Sequence, residues 1–390
     1  SGMVEVLKKG GSSQHPMALP EQVFGPDGRS ISLTYENYAG GRILETISDP
    51  DGELLRIVRN EMTRQVELLF YPGKGDAGGP MARLLLKQDG LGRVVQVVLP
   101  THDDACWNFE YTELRELYFL SEVWTPTGAH ETVKYEDDGH RFPGGELEPL
   151  PRVTRHLVDP RADQPIIEVE YEYSPQNFLG NGALPDWNED GFDNLYRVTD
   201  HTFQYWSISK LIVDGKVVRR VQRTYNRFHL MTEETTTQGN CRKRSVTRYY
   251  ADHPDNINKP FDEQPAQCQL PMTVETYWEL VDNGSKQRLD ISESRFDESG
   301  NLIEQHNPDG TREVLEYYPA QGDAHCPRDP DEFVRHLRSR TVYPAPSEHG
   351  NSPVLRTEFG YTALPTLPWE HGTTCVVEQW QSLQVVGGEP

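Results

Sequence analysis

Short runs of alternating apolar and polar residues, separated by turn signals, dominate the sequence. Val133 and Tyr135 alternate with polar neighbours, which predicts a half-buried β-strand with one wet face. Segment 296–318 shows the turn signals most clearly, because Gly300 and Gly310 separate three such runs. The signals recur about every ten or eleven residues, which leaves room for a strand and its turn but not for a packed helix.

These turn signals belong to a repeated unit. "GNLIEQHNPDG" at 300–310 matches "GRILETISDPDG" at 41–52, and further copies occupy 89–105 and 125–142. In the last copy Tyr135 and Gly139 repeat the spacing of Phe296 and Gly300, which predicts a turn at Gly139. Pro fixes φ at a turn, Asp bonds its own backbone, and Gly supplies positive φ. The repeats predict an all-β fold, an antiparallel sheet of hairpin units.

The regularity of the pattern varies along the chain and suggests five regions. Segment 329–340 is the best candidate for a helix, with Asp331 as its cap. The five regions are a tag scar and flexible leader (1–20), N-terminal repeats (21–142), an irregular β region with a long Gly/Asp loop (143–214), further repeat-like strands (215–318) and an irregular C-terminal β region (319–390).

Composition and charge narrow the possible partners. Hydrophobic residues make up 35% of the chain and aromatic residues 10%, and the aromatic content argues for an ordered protein. No window approaches 18 consecutive apolar residues, so we expect no membrane span. The formal net charge of −23 disfavours nucleic acid as a partner. The N-terminus shows no secretory signal, and the five cysteines have no metal-ligand spacing, which predicts free thiols.

The repeat units resemble a known family. Phe296-Asp297-x-x-Gly300-Asn301-Leu302 and "DGLGRV" at 89–94 resemble the RHS/YD repeat, named for a Tyr-Asp…Gly-Arg-Leu consensus. The sequences of segments 125–144 and 177–198 resemble those of the large RHS-repeat proteins related to bacterial insecticidal toxin complexes. Departures are visible at Phe296, Gln88 and Asn37, which stand where the consensus has Tyr.

The resemblance implies an antiparallel sheet that spirals into a partial shell. Such shells enclose a toxic cargo domain before delivery, so the implied role is structural and not enzymatic. The implied partners are a toxin cargo domain or a companion toxin-complex subunit, and the implied location is secreted or injected by a bacterial export system. No autoprotease segment of the kind that ends these proteins is visible, and no catalytic residue or cofactor is expected.

A second hypothesis is a carbohydrate-binding module at a cell surface, with a host glycan as partner. Exposed aromatic rings would serve as sugar platforms. The candidates are Trp187, Tyr196, Tyr205 and Trp206. A weaker third hypothesis is hydrolase activity in the irregular region 143–215.

Segment 188–194, "NEDGFDN", offers oxygen ligands around a glycine, as a calcium loop requires. Asp190, Asp193 and Asn194 are the candidate ligands. The order departs from the EF-hand pattern and no bidentate Glu follows, so a solvated turn is the competing interpretation and no metal is expected.

Basic residues concentrate in 216–248, against the acidic balance of the chain. They could form a docking face for an acidic partner or an anionic glycan, or they could pair with Asp and Glu on adjacent strands, which we favour. The proposed docking residues are Arg219, Arg220, Arg223, Arg242, Lys243 and Arg244.

Overall fold

The computed structural model describes residues 3–11, 16–25, 29–38, 41–348, 352–364 and 375–387. Its 24 described strands belong to one sheet, and the pairs of neighbouring strands are antiparallel. The predicted all-β class with an antiparallel sheet is therefore confirmed. The chain divides into a first unit (1–133, 158–165 and 366–372) and a second unit (134–157, 166–365 and 373–390).

In the first unit each strand pairs with the next one along the chain, as a succession of hairpins requires. The strands are β1 (Val4–Gly11), β2 (Pro16–Phe24), β3 (Ser30–Tyr38), β4 (Gly41–Asp49), β5 (Gly52–Asn60), β6 (Gln65–Phe70), β7 (Ala82–Gln88), β8 (Val94–Val98), β9 (Cys106–Leu114), β10 (Leu117–Trp124) and β11 (His130–His140). From residue 134 onward β11 belongs to the second unit. Of the predicted leader 1–20, residues 1, 2 and 12–15 lie outside the described residues.

The second unit repeats this sequential pairing from β13 onward. The remaining strands are β12 (Leu150–Asp159), β13 (Ile167–Tyr173), β14 (Gln204–Val213), β15 (Lys216–Asn226), β16 (Met231–Gln238), β17 (Cys241–Tyr249), β18 (Pro271–Leu280), β19 (Asn283–Phe296), β20 (Leu302–His306), β21 (Arg312–Tyr317), β22 (Leu337–Tyr343), β23 (Val354–Leu364) and β24 (Cys375–Val386). Short 3-10 helices lie at Asp76–Gly78, Pro143–Gly145, Asn194–Arg197, Tyr250–Asp252 and Phe261–Glu263. Across the described ranges, no helix has the length and apolar character needed to cross a membrane.

The turns of the clearest repeat lie where the sequence predicts them. Gly300 and Gly310 have φ of 81° and 85°, the left-handed region that Gly adopts without strain. Asp297 Oδ1 accepts hydrogen bonds from the backbone N–H groups of Ser299 (2.9 Å) and Asn301 (2.8 Å). The aspartates of the repeat therefore shape turns by bonding their own backbone.

The turn predicted at Gly139 is wrong, because this residue lies inside strand β11. A Cβ atom at Gly139 would come within 2.4 Å of the Leu150 carbonyl oxygen. Gly139 therefore allows the backbone of β11 to approach that of Leu150 closely, and it does not form a turn.

The helix predicted over 329–340 is also wrong, since the segment is irregular as far as Leu337, where β22 begins. Asp329 is 1% exposed, and its Oδ1 accepts from the N–H groups of Asp331 and Phe333, both at 3.0 Å. Its Oδ2 lies 2.6 Å from Arg335 Nε. A buried aspartate that gathers nearby backbone donors competes with helical hydrogen bonding.

The long loop at 177–198 contributes buried residues to the core. Leu195 is fully buried and packs with Val198 and Phe203, while Tyr205 borders the cluster. Asp193 caps the short helix at Asn194–Arg197 by accepting from Leu195 N at 2.9 Å. The loop thereby lies against the sheet of the second unit.

Candidate functional site

A cleft of about 340 Å³ opens over strands β13 to β15 of the second unit. Tyr205 and Tyr225 are cross-strand partners, and their rings stack with centroids 5.1 Å apart and an interplanar angle of 14°. Ser207 lies two residues along β14 and opposite Tyr173, so a small side chain forms the floor between aromatic walls. We call this the aromatic cleft, and its principal lining residues are His140, Tyr173, Phe178, Tyr205, Ser207, Tyr225 and His229.

A chain of three polar side chains fixes one wall of the aromatic cleft. The Tyr205 hydroxyl lies 3.0 Å from His229 Nδ1, and His229 Nε2 lies 2.7 Å from Asp193 Oδ2. Burial, with the nearby Tyr225 and Asp193, raises the pKa of Tyr205. The phenol therefore stays protonated, and the arrangement orients a hydroxyl instead of generating a nucleophile.

The opposite wall of the aromatic cleft is built around His140. His140 packs edge-on against Tyr173 and Phe178, with ring centroids 5.1 Å apart in both pairs. Burial first, and the positive charge of Arg152 second, lower the pKa of His140. A neutral imidazole follows, so the cleft presents aromatic surface with few polar groups, which is typical of a small-molecule site.

A second cleft, of about 460 Å³, lies on strands β15 to β18. We call it the charged cleft. Thr236 on β16 faces Lys243 on β17, and Lys243 in turn faces Trp278 on β18. The Lys243 ammonium lies 5.1 Å from the Trp278 ring centroid. Arg219, opposite Gln238, closes the other end of the cleft.

The structure does not bring the four predicted sugar platforms together. Trp187 packs edge-on against Phe142 at 4.8 Å, and Tyr196 stacks on Phe261 at 3.8 Å. Tyr205 and Trp206 both border the aromatic cleft, but neighbouring strand residues point to opposite faces. Carbohydrate binding therefore stays a prediction, and of these four residues Tyr205 and Trp206 line the cleft.

The six predicted basic docking residues do not form one stripe, because β16 separates β15 from β17 and the side chains alternate. The register places three on each side of the sheet. Arg219, Arg223 and Lys243 share the face of Tyr205, whereas Arg220, Arg242 and Arg244 lie on the opposite face. Their role in docking an anionic partner stays a prediction.

Three of these cations pair with carboxylates on adjacent strands, which is the arrangement that the sequence favoured. Arg223 Nε lies 2.8 Å from Glu234, Arg242 lies 3.6 Å from Glu279, and Arg244 lies 3.6 Å from Glu233. For these three pairs the predicted cross-strand pairing is confirmed.

The predicted calcium ligands are held in local hydrogen bonds. Asp190 accepts from Asn188 Nδ2 (2.6 Å) and Phe192 N (2.9 Å). Asn194 Oδ1 accepts from Asn188 N and from Arg197 Nη1, both at 2.8 Å. Asp193 is divided between Leu195 N and His229. The geometry is that of a self-bonded turn.

Sequence reasoning missed Trp278 and His229. Trp278 belongs to β18, outside every motif, and only the strand register places it beside Lys243. His229 has a φ of 60° in the turn after β15, where Asn226 Oδ1 accepts from Phe228 N at 2.9 Å. The Asn-x-x-His turn was the one signal in the sequence that could have pointed to His229, and it does not predict the contact of His229 with the distant Asp193.

No protein-family model and no curated protein matches the chain. Solved structures do match, among them crystal structures of TcdB2-TccC3-TEV (9% identity, TM-score 0.19), TcdB2-TccC3-Cdc42 (11%, 0.20) and TcdB2-TccC3 (9%, 0.19). They cover 88%, 88% and 92% of this chain but only 22%, 18% and 24% of theirs, so the chain spans about a fifth of their length. The resemblance to the RHS/YD repeat rests on the residues of the repeat units and not on these matches. At such identities and TM-scores, the matches carry no argument about activity or partners.

Proposed function

We propose that this chain is a structural scaffold of an RHS-type toxin or toxin-delivery protein, which acts by covering a cargo polypeptide and not by catalysis. The observation that carries the proposal is an apolar sheet face in the first unit whose side chains, as far as the described residues show, are only partly buried. A sheet buries such a face against another layer in a stable domain. The face is therefore available to a polypeptide outside this chain.

The strand register defines this apolar face. Ile57 faces Leu68, which in turn faces Leu84 on the next strand. The row is continued by further apolar partners on each side. The members of the face on β5 to β9 are Leu55, Ile57, Val66, Leu68, Phe70, Leu84, Leu86, Val97, Trp107 and Phe109.

These side chains are only partly buried, since the sheet itself shields their edges. Among the described hydrophobic residues of the first unit, Phe24 is the one that is buried. Because most of their surface is already buried, completing the burial contributes about 0.5 kcal/mol for each residue. The ten residues together contribute about 5 kcal/mol, which favours weak contact with an extended or partly folded chain.

The opposite face of the same strands mixes charged residues with apolar ones. Leu69 lies between Arg56 and Arg83 on the neighbouring strands, and Arg83 lies 2.5 Å from Glu67. This asymmetry between faces supports an inner surface toward cargo and an outer surface toward solvent.

The proposal is tested with an unfolded model polypeptide, reduced and carboxymethylated lactalbumin. We expect this chain to slow proteolysis of that polypeptide, and Leu84→Glu to abolish the effect. Leu85→Glu is the matched control, because Leu85 neighbours Leu84 and faces Glu67 on the opposite side of the sheet. Absence of protection, or equal loss in both variants, contradicts the scaffold.

The aromatic cleft favours a second candidate function, the binding of a neutral saccharide. Its stacked Tyr205 and Tyr225 offer ring surface, and Ser207 leaves space above the sheet. On a glycan array we expect binding that Ser207→Trp abolishes by filling the floor, whereas Trp187→Ala leaves it unchanged. Binding that depends on Trp187 instead would reject the cleft as the site.

A further inference from the structure

The charged cleft has one apolar wall. Trp278 and Leu280 lie two residues apart on β18 and therefore share one face of the sheet. The small side chain of Cys241 lies opposite Leu280 on β17, which leaves space in front of this wall. Trp278 is 47% exposed, although it lies in the interior of β18. An exposed indole beside an aliphatic side chain is a surface on which a flat heterocycle stacks.

The positive charge of this cleft is not neutralised by the protein. Within the described residues, neither Arg219 nor Lys243 has a carboxylate within salt-bridge distance. Of the two acidic residues that border the cleft, Glu234 is paired with Arg223, and Glu279 is paired with an arginine of the opposite face. Two unpaired cations in one cleft of a chain with net charge −23 indicate a site for an anion.

Neutral hydrogen-bonding groups lie between the apolar wall and Arg219. Thr236 and Gln238 alternate along β16 and share the face of the cleft. Thr236 faces Lys243 on β17, and Gln238 faces Arg219 on β15. In the part of the chain that the structure describes, neither side chain makes a hydrogen bond to the protein. The hydroxyl and the amide are therefore available to bond a ligand.

The order and spacing of these groups match an extended nucleotide. Trp278 on β18 and Arg219 on β15 are three strand spacings apart, which is about 14 Å across the sheet. The Lys243 ammonium lies 5.1 Å from the Trp278 ring centroid, so one cation stands next to the stacking surface and the other at the far end. The cleft volume of about 460 Å³ lies within the roughly 300–1,000 Å³ of small-molecule sites. A base, a ribose and a diphosphate in succession fit this length and this volume.

We infer that the charged cleft binds a purine nucleoside diphosphate. The base stacks on Trp278, the hydroxyl and the amide of β16 bond the ribose, and Arg219 and Lys243 bind the phosphate groups. A purine is favoured over a pyrimidine, because its two fused rings cover more of the indole. A polynucleotide is disfavoured, because the acidic remainder of the chain repels phosphates that extend beyond the site. The site is separate from the aromatic cleft and independent of the proposed scaffold function of the first unit.

The test is isothermal titration calorimetry of the chain with ADP, at low and at physiological salt. We expect saturable binding by the wild-type chain that weakens as salt rises. Arg219→Ala and Lys243→Ala should each weaken ADP binding about tenfold, as the loss of one charge-assisted contact predicts. Trp278→Ala should weaken ADP binding by a similar factor and leave the weaker binding of inorganic pyrophosphate unchanged, because it removes stacking and not charge.

Arg220→Ala is the matched control. Arg220 neighbours Arg219, carries the same charge and lies on the opposite face, where it bonds Gln222 at 2.8 Å. This variant should bind ADP like the wild type. Circular dichroism checks that each variant folds, and Ser207→Trp, which closes the aromatic cleft, should leave ADP binding unchanged.

Three outcomes would overturn the inference. One is the absence of saturable ADP binding by the wild-type chain at low salt. Another is pyrophosphate binding as tight as that of ADP, or a loss in Arg220→Ala equal to that in Arg219→Ala, since either would indicate attraction by charge alone. The third is ADP binding that is insensitive to Trp278→Ala, which would show that the base does not stack on the indole.

Discussion

Arg227 offers a direct measurement of what holds the irregular segments of the second unit to its sheet. It follows β15 and is 3% exposed. Its Nη1 donates to the Val198 carbonyl at 2.7 Å, and its Nη2 donates to the carbonyls of Ile257 and Lys259 at 2.9 and 2.8 Å. One guanidinium therefore ties two separate loops to the end of a strand.

Replacing Arg227 with Ala removes its three hydrogen bonds and leaves the carbonyl groups of Val198 and Ile257 without this donor, while the carbonyl of Lys259 keeps Gln264 Nε2 at 3.0 Å. At about 1–1.5 kcal/mol for each hydrogen bond, we expect a loss of about 3–4 kcal/mol in the free energy of unfolding. Arg227→Lys keeps a charge but lacks the planar fork, so about half of this loss should remain. Arg220→Ala, a surface change on the same strand, should stay within about 0.5 kcal/mol of the wild type.

Equilibrium urea unfolding followed by tryptophan fluorescence measures these differences, and limited proteolysis shows whether the segment around 253–268 is released first. Equal stability of Arg227→Ala and Arg220→Ala would contradict the role of these three hydrogen bonds in holding the loops to the sheet. If Arg227→Lys is as stable as the wild type, the planar fork of the guanidinium contributes nothing to stability, which would also contradict this role.

Two further predictions concern the second unit. Gly139→Ala should lower the free energy of unfolding in urea by about 1–3 kcal/mol, because its Cβ would lie 2.4 Å from the Leu150 carbonyl oxygen. Gly284→Ala should have little effect, because nothing lies within 4 Å of a Cβ atom there. Equal losses of stability in the two variants would contradict the close approach at Gly139. Burial holds the pKa of His140 below its ordinary value of 6.5. As the pH falls below about 6.5, the unfolded state therefore takes up a proton before the folded state does, and the protein loses stability. His140→Phe should reduce this loss of stability between pH 7 and 5, and an unchanged loss would show that other groups cause it.

The sequence was sufficient for the class of fold because turn chemistry is local. Asp297 and Gly300 specify their turn by bonding and conformation within four residues, and the structure places both as predicted. Gly139 carries the same spacing signal, but its backbone approaches Leu150, a contact that no local pattern encodes. The helix predicted over 329–340 is wrong for a related reason, because Asp329 is buried and pairs with Arg335 and His336.

The candidate sites were less predictable, since they depend on strand register. Tyr205 was identified from its aromatic character, but its partners Tyr225 and His229 come from the next strand and its turn. The basic residues were found as a set, yet alternation divides them between two faces. Clefts form where a small residue on one strand meets large ones on its neighbours, which requires the pairing to be known.

A scaffold of this kind requires that one face of the first unit contacts a cargo chain and the other does not. The most direct measurement places a photo-cross-linking amino acid, p-benzoylphenylalanine, at Leu68 or at Leu69 and irradiates the chain with the carboxymethylated polypeptide. These neighbours differ in environment, because Leu68 lies between Ile57 and Leu84 and Leu69 between Arg56 and Arg83. We expect cross-links to the carboxymethylated polypeptide from position 68 and few from position 69. Equal cross-linking at both positions, or cross-linking from 69 alone, would contradict the scaffold.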